Sequence, residues 1–288
     1  MPHPKKMSHE AYHHQRVSFL TRHGKETLVA PILEPALGCS IIHTDGYDTD
    51  LLGTFSRDIQ REGSQLETAR RKARIGMTLA GSTIGIASEG SFMADPFAGW
   101  MPWNVEILIW LDDDLGIEVT GMAQGPAKSA HRSISSIDEL RTFAADAGFP
   151  EHRLMLRPDD EHSTDIIKGI ADWPRLEHSF FEMLEKSTTG RVFAENDLRA
   201  FCNPTRQAMI RNAAQDFLHK LLSICPHCSS PGYSIAHRKS GLPCGTCHAP
   251  TRLPIADIWR CPKCAHTEEI KRSTPSHADP ANCDYCNP

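Results

Sequence analysis

Hydrophobic positions change their spacing several times along the chain, and each change marks an element. Val17 to Leu20 is a short apolar run, the polar stretch Thr21-Arg22-His23-Gly24-Lys25-Glu26 follows, and Leu28, Val29, Ile32 and Leu33 then recur at helical spacing. Strand, polar loop and helix are the opening of an α/β unit. Pro31 and Pro35 predict a short or bent helix, because proline lacks an amide and its ring crowds the preceding turn. Ser40 to His43 reads as the next strand. Ser64-Gln65-Leu66-Glu67 is a capping box, so a helix starts at Ser64. Leu66, Ala69, Ala73, Gly76, Met77 and Ala80 give it one apolar face, with Arg70, Arg71, Lys72 and Arg74 on the others.

Ile84 to Ala87 is again a strand, and it runs into Ser88-Glu89-Gly90-Ser91, which reads as a tight turn. Val105 to Leu111 and Ile117 to Thr120 flank Asp112-Asp113-Asp114-Leu115-Gly116 as a hairpin. A second capping box, Ser136 with Glu139, opens a helix to Ala147, and His152 to Arg157 is a strand. Asp172 and Pro174 start a helix through Leu176, Phe180, Met183 and Leu184, and Arg191 to Phe193 is a short strand. Asn203-Pro204 is an N-cap followed by proline at the first helical position, opening a long helix to Leu222. The expected fold is α/β, a mixed sheet with flanking helices over residues 15–223. A small C-terminal double zinc-ribbon-like domain over residues 224–288 follows from the cysteines.

Eight of the ten cysteines form four C-x-x-C pairs, Cys225/Cys228, Cys244/Cys247, Cys261/Cys264 and Cys283/Cys286. Eight thiolates suit two tetrahedral Zn2+ ions in closed, structural sites. The tail also repeats weakly, CPHC-SIAHRKS-CGTC and then CPKC-EEIKRST-CDYC. One ion per repeat is the favoured pairing, and an interleaved or nested one is the alternative. Counting eight thiolates and two zinc ions, the tail is net negative, which disfavours duplex binding, although Tyr233, Trp259 and Tyr285 are able to stack on single-stranded bases.

Composition narrows the remaining classes. With 288 residues, 40% hydrophobic and 23% charged, the chain fits two globular domains, and a formal charge of -5 argues against one broad nucleic-acid-binding face. No apolar run approaches the roughly 18 residues that span a bilayer, and the first residues lack the apolar stretch of a signal peptide. A cytoplasmic protein without a membrane partner is expected.

Polar clusters at strand or helix ends carry the candidate chemistry, since loops at strand ends of an α/β sheet bind ligands. The loop before the first helix offers backbone amides with His23 and Lys25, and the helix start at Asn203 offers amides with Arg199 and Arg206 nearby, a pairing suited to phosphate. The acidic residues of the clusters Asp58 to Glu67 and Ser88 to Ser91 are available for magnesium beside that phosphate. Glu106, isolated in the apolar run Val105 to Leu111, is either on a solvent face or a buried acid aimed at the site. The expected partner is a phosphorylated small molecule or nucleotide.

Two resemblances add to this reading. HGKE, GTF, ETARRKA, ASEGSF, DLRAFCNPTR, GLPC, CHAPT and the closing CNP together resemble an uncharacterised bacterial domain-of-unknown-function family. The order of motifs is also similar to the inosine/xanthosine triphosphatase superfamily of nucleotide pyrophosphatases. Thr21, His23 and Lys25 resemble its T-x-N-x-x-K phosphate loop, one residue shorter and with histidine for asparagine. Glu62 followed by S-Q-L-E-T-A-R-R-K-A keeps Glu67, Ala69, Lys72 and Ala73 in register with its helix motif. Ala87-Ser88-Glu89-Gly90-Ser91 stands where that superfamily has D-D-S-G or I-E-G-G, and Pro204-Thr205-Arg206 where it has S-H-R or I-T-R. The resemblance implies a magnesium-dependent nucleoside triphosphate pyrophosphohydrolase, with Lys25, Lys72 and Arg206 on phosphates and Glu62 and Glu89 on the metal. A non-catalytic phosphate-ligand-binding protein, or a zinc-ribbon protein that contacts a partner or single-stranded nucleic acid, is the alternative.

Overall fold

A computed structural model describes residues 12–52 and 63–287. Glu62 lies outside the described residues. The first part of the chain runs β1 (Arg16–Leu20), α1 (Glu26–Leu37), β2 (Ser40–Thr44), α2 (Gln65–Ala80), β3 (Ile84–Ala94), β4 (Pro102–Asp112) and β5 (Ile117–Pro126). These strands form one mixed sheet in the order β2-β1-β3-β4-β5. β1 is parallel to both β2 and β3, and β3, β4 and β5 are antiparallel.

Local chemistry accounts for the helices. Ser64 accepts from the Glu67 amide while Glu67 takes the Ser64 amide, so the capping box opens α2 as its residues dictate. α1 contains both Pro31 and Pro35 and still runs its full length. Thr27, Pro31 and Pro35 share one exposed face, so the carbonyls left without helical donors meet water.

The chain then leaves this sheet and builds a second one. β6 (His131–Ile134), α3 (Ile137–Asp146), β7 (Leu154–Pro158), β8 (Ile167–Ile170), α4 (Trp173–Lys186) and β9 (Val192–Asn196) form a four-stranded antiparallel sheet, order β6-β9-β7-β8, with its own core. It is inserted between β5 and α5 (Pro204–Leu222), which returns to the first sheet and packs on β4 and β5. α1 and α5 cover one face through Leu33, Leu37, Ile210 and Phe217 over Phe19, Ile86, Leu108 and Trp110. α2 covers the other through Ala69, Ala73 and Met77 over Ala87, Ile107 and Ile109. The alternation along β3 and β4 is that of a strand pair buried on both sides.

The expected turn at Ser88 is not made. β3 continues through Ser88-Glu89-Gly90-Ser91 to Ala94, each residue paired with β4 from Leu108 down to Pro102. Cross-strand pairing overrides the turn-like composition, and the small residues serve packing instead. Gly90 faces Glu106, and a Cβ there would run into Glu106 Oε1 and Arg206 Nη2. Gly90→Ala is therefore expected to destabilise the protein by about 1–3 kcal/mol through overpacking, read from urea midpoints.

The last residues form β10 (Ser234–Ser240), β11 (Pro254–Arg260) and β12 (Thr267–Lys271), an antiparallel three-stranded sheet. No helix among the described residues is long and apolar enough to cross a membrane.

Candidate functional site

Two tetrads of cysteine stand at the two ends of the C-terminal sheet. Cys225, Cys228, Cys261 and Cys264 form one, and Cys244, Cys247, Cys283 and Cys286 the other, with the sulfurs of each within 4.8 Å of one another. This is the interleaved pairing, and it corrects the expectation of one ion per repeat. The reason lies in β10. SIAHRKS is a seven-residue extended strand, so it holds Cys228 and Cys244 roughly 20 Å apart. Antiparallel pairing of Ser234 with Arg260 instead brings the first knuckle to the third, and Lys271 beside Ala256 sends the fourth toward the second.

The geometry fits zinc. A Zn–S bond of about 2.3 Å sets S···S edges of about 3.8 Å in a tetrahedron. The Cys225–Cys264, Cys228–Cys261, Cys244–Cys286 and Cys247–Cys283 edges are 3.7, 3.6, 3.8 and 3.5 Å, far beyond a disulfide bond. Backbone amides of His227, Thr246 and Lys263 donate to Cys225, Cys244 and Cys261, which favours thiolate. The Ser230 amide holds the Cys228 thiol down to about 7 and the Cys247 amide does the same for Cys244, while burial pushes Cys261 up to about 12 and the Cys247 sulfur pushes Cys286 up to about 12. Four thiolates would fill the shell of a zinc ion, so each tetrad offers the donor set of a structural site and leaves no open position.

Three knuckles end on a non-glycine residue in left-handed backbone, Ser229, His248 and Ala265, with φ near +60°. Such a residue costs about 1 kcal/mol where glycine does not. Ala265→Gly is expected to raise the zinc-loaded melting temperature slightly, and a drop would show that this strain reading is wrong.

At the other end of the molecule, the first sheet carries a group of buried charges. β1 connects to β2 on one side and the chain returns through α2 to β3 on the other, so the strand order reverses between β1 and β3. Ligands of open α/β sheets bind at this reversal, beyond the carboxyl ends of the strands. Lys25, at the N-cap position of α1, reaches across it, and its Nζ donates to the Ser88 carbonyl at 2.9 Å. Lys25, Ser88, Glu89, Glu106 and Arg206 are all buried. Arg206 Nε donates to Glu106 Oε1 at 2.7 Å, and Asn104 donates to the same oxygen at 3.2 Å. Lys72 is ion-paired with Glu89. Gln65 ties α2 to this edge by donating to the carbonyls of Glu89 and Val105.

Burial, with the Arg206 and Lys72 charges nearby, pulls the Lys25 amine from about 10.5 down to about 7, against the pull of Glu106 and Glu89. Between those values the unfolded chain binds the proton and the folded chain does not, so stability rises with pH across that window. Lys25→Met is expected to abolish this rise, seen in urea midpoints at about pH 7 and about pH 9.5.

Above this layer lies a more open one. His23, in the β1–α1 loop, has its ring 5.8 Å from that of Phe201, which is 40% exposed. Arg199 stacks on the same ring at 4.8 Å and Arg153 at 5.8 Å. Arg199 is held in place by a two-pronged pair with the fully buried Asp197. His23, Arg199, Lys25 and Arg206 thus gather at one end of the sheet, in two layers, with Lys72 and Glu89 on the α2 side. Nothing in the sequence marks Phe201, Arg153, Asn104 and Gln65 as site residues: Arg153 and Phe201 reach the β1–α1 loop only once the inserted unit folds beside it, and Asn104 and Gln65 reach the charges only through the pairing of β3 with β4 and the docking of α2. Glu106 is the buried acid of the two options, neutralised by Arg206. Of the aromatic residues in the tail, Tyr233 is buried and packs with Trp259 at the first cysteine site, and Tyr285 is 78% exposed.

The family described as a domain of unknown function, DUF6671, matches residues 72–288, a span that takes in Lys72, Glu89, Glu106, Arg206 and all eight cysteines of the tetrads. Comparison with curated proteins gives no match.

Proposed function

We propose, for a chain that belongs to the DUF6671 family, that residues 15–223 bind a small phosphorylated ligand, a nucleotide being the first type to test, and that residues 224–288 are a two-zinc scaffold. The observation that carries this reading is Lys25 spanning the β1/β3 reversal at the start of α1, with His23, Arg199 and Arg153 on the Phe201 ring above it. A helix start, cations and a reversal of strand order favour an anion at the same place.

Binding without turnover is the reading we favour over a magnesium-dependent pyrophosphohydrolase. Magnesium takes one or two carboxylates together with phosphate oxygens. Glu89 and Glu106 each face a cation and project to opposite faces of the sheet, Glu89 toward α2 and Glu106 toward α5. Hydrolysis would need Glu89 to leave Lys72 and to act with Glu62.

Calorimetric titration with pyrophosphate and a panel of nucleoside triphosphates tests the reading, alongside an assay for released pyrophosphate. Binding without product, weakened by Arg153→Ala, is the expected result. Turnover lost in Glu89→Gln would favour the hydrolase instead, and silence in both assays would defeat both. Single-stranded nucleic acid held by the zinc module is a separate alternative, and salt-sensitive binding lost on Tyr285→Ala would support it.

A further inference from the structure

Lys25 is the one buried lysine among the described residues. Its Nζ touches the Ser88 carbonyl at 2.9 Å and the Ser88 hydroxyl at 3.4 Å, neither of them a carboxylate. A methionine or leucine would fill the same space without the penalty of burying an ammonium group. The charges of Arg206 from α5 and Lys72 from α2 act on the amine against protonation, and those of Glu106 from β4 and Glu89 from β3 act for it. Such an environment favours a neutral amine with a free lone pair, which is how proteins make a lysine nucleophilic.

We propose that Lys25 condenses with an aldehyde group on the bound ligand to form an imine, making the ligand a phosphorylated aldehyde. This rests on the phosphate-ligand reading for its anionic half. The amine nitrogen adds to the carbonyl carbon, forming a C–N bond as the carbonyl π pair moves onto oxygen. A proton passes from nitrogen to that oxygen, and the Ser88 hydroxyl at 3.4 Å stands where it can relay it. The hydroxyl then takes up a second proton from solvent and leaves as water as the nitrogen lone pair expels it, so that amine, aldehyde and one proton give a protonated imine and water. No electrons are gained or lost. The positive nitrogen that results is favoured by Glu106 and Glu89, the same carboxylates that pull against neutralisation of the free amine.

The probes are pyridoxal 5′-phosphate and pyridoxal, each incubated with the zinc-loaded chain, reduced with borohydride and mapped by peptide mass spectrometry. The inference expects Lys25 to be modified by pyridoxal 5′-phosphate with about a tenfold preference over any other lysine. Lys25→Met, which fills the same space without a charge, should keep its melting transition and give no adduct at residue 25. Equal labelling of Lys25 by both aldehydes would uphold the imine and overturn the phosphate reading. Adducts on surface lysines alone, in a protein that still binds pyrophosphate by calorimetry, would overturn the imine and leave the phosphate reading standing.

Discussion

Replacing Cys225 or Cys283 with serine is expected to remove both zinc ions from the chain. In the interleaved arrangement each ion joins two knuckles that are far apart in sequence, and the strands between them run from one ion to the other. Loss of the Cys225 site frees one end of all three strands. The second site must then close a loop from Cys247 to Cys283 without a sheet to shorten it, and loop closure is an entropic cost. The module has little else to hold it, since its buried cluster is Tyr233 with Cys225 and Cys261, packed on by Trp259 and Cys228. Structural zinc contributes about 10–16 kcal/mol to modules of this kind, more than such a core supplies. Metal analysis should therefore fall from two zinc ions per chain to well under one, with loss of the module's melting transition. Retention of one ion would mean that the sites fold independently, as sequential ribbons do.

Arg206→Met is the second large effect, an expected loss of about 3–5 kcal/mol. The Arg206 and Glu106 side chains are 1% and 0% exposed, so removing the guanidinium leaves a carboxylate in the protein interior with, among the described residues, Asn104 alone donating to it. Desolvation makes that remaining charge expensive, and the protein answers by taking up a proton or by unfolding. Pairing Arg206→Met with Glu106→Leu should recover much of the loss, because a buried ion pair contributes little over apolar groups of similar volume. The double-mutant cycle in urea gives the coupling directly. A cost below about 1 kcal/mol for Arg206→Met alone would show that water reaches Glu106 and that the cluster is open.

How far the sequence led differs from element to element. Capping chemistry is local, so Ser64, Ser136, Asp172 and Asn203 each open the helix their side chains specify. Metal ligation was equally legible, because C-x-x-C leaves few other uses for its sulfurs. The pairing was not, since the four knuckles are alike and only the register of β10 on β11 decides which two meet. β6 and β8 leave little mark in the sequence, because each has four residues and little alternation, and they join a sheet through β9 and β7. Ser88 to Ser91 looked like a turn because small polar residues usually make one. Here they line a strand whose neighbour, Glu106, meets an arginine 100 residues away. No periodicity within either segment encodes that contact.

The central claim is that an anion binds where β1 and β3 part, and hydrogen–deuterium exchange with and without pyrophosphate tests it most directly. The account predicts slowed exchange in the peptides covering Thr21 to Thr27 and Arg199 to Arg206, with the C-terminal zinc sheet unchanged. Protection confined to the zinc module, or none in either segment at saturating pyrophosphate, would contradict it.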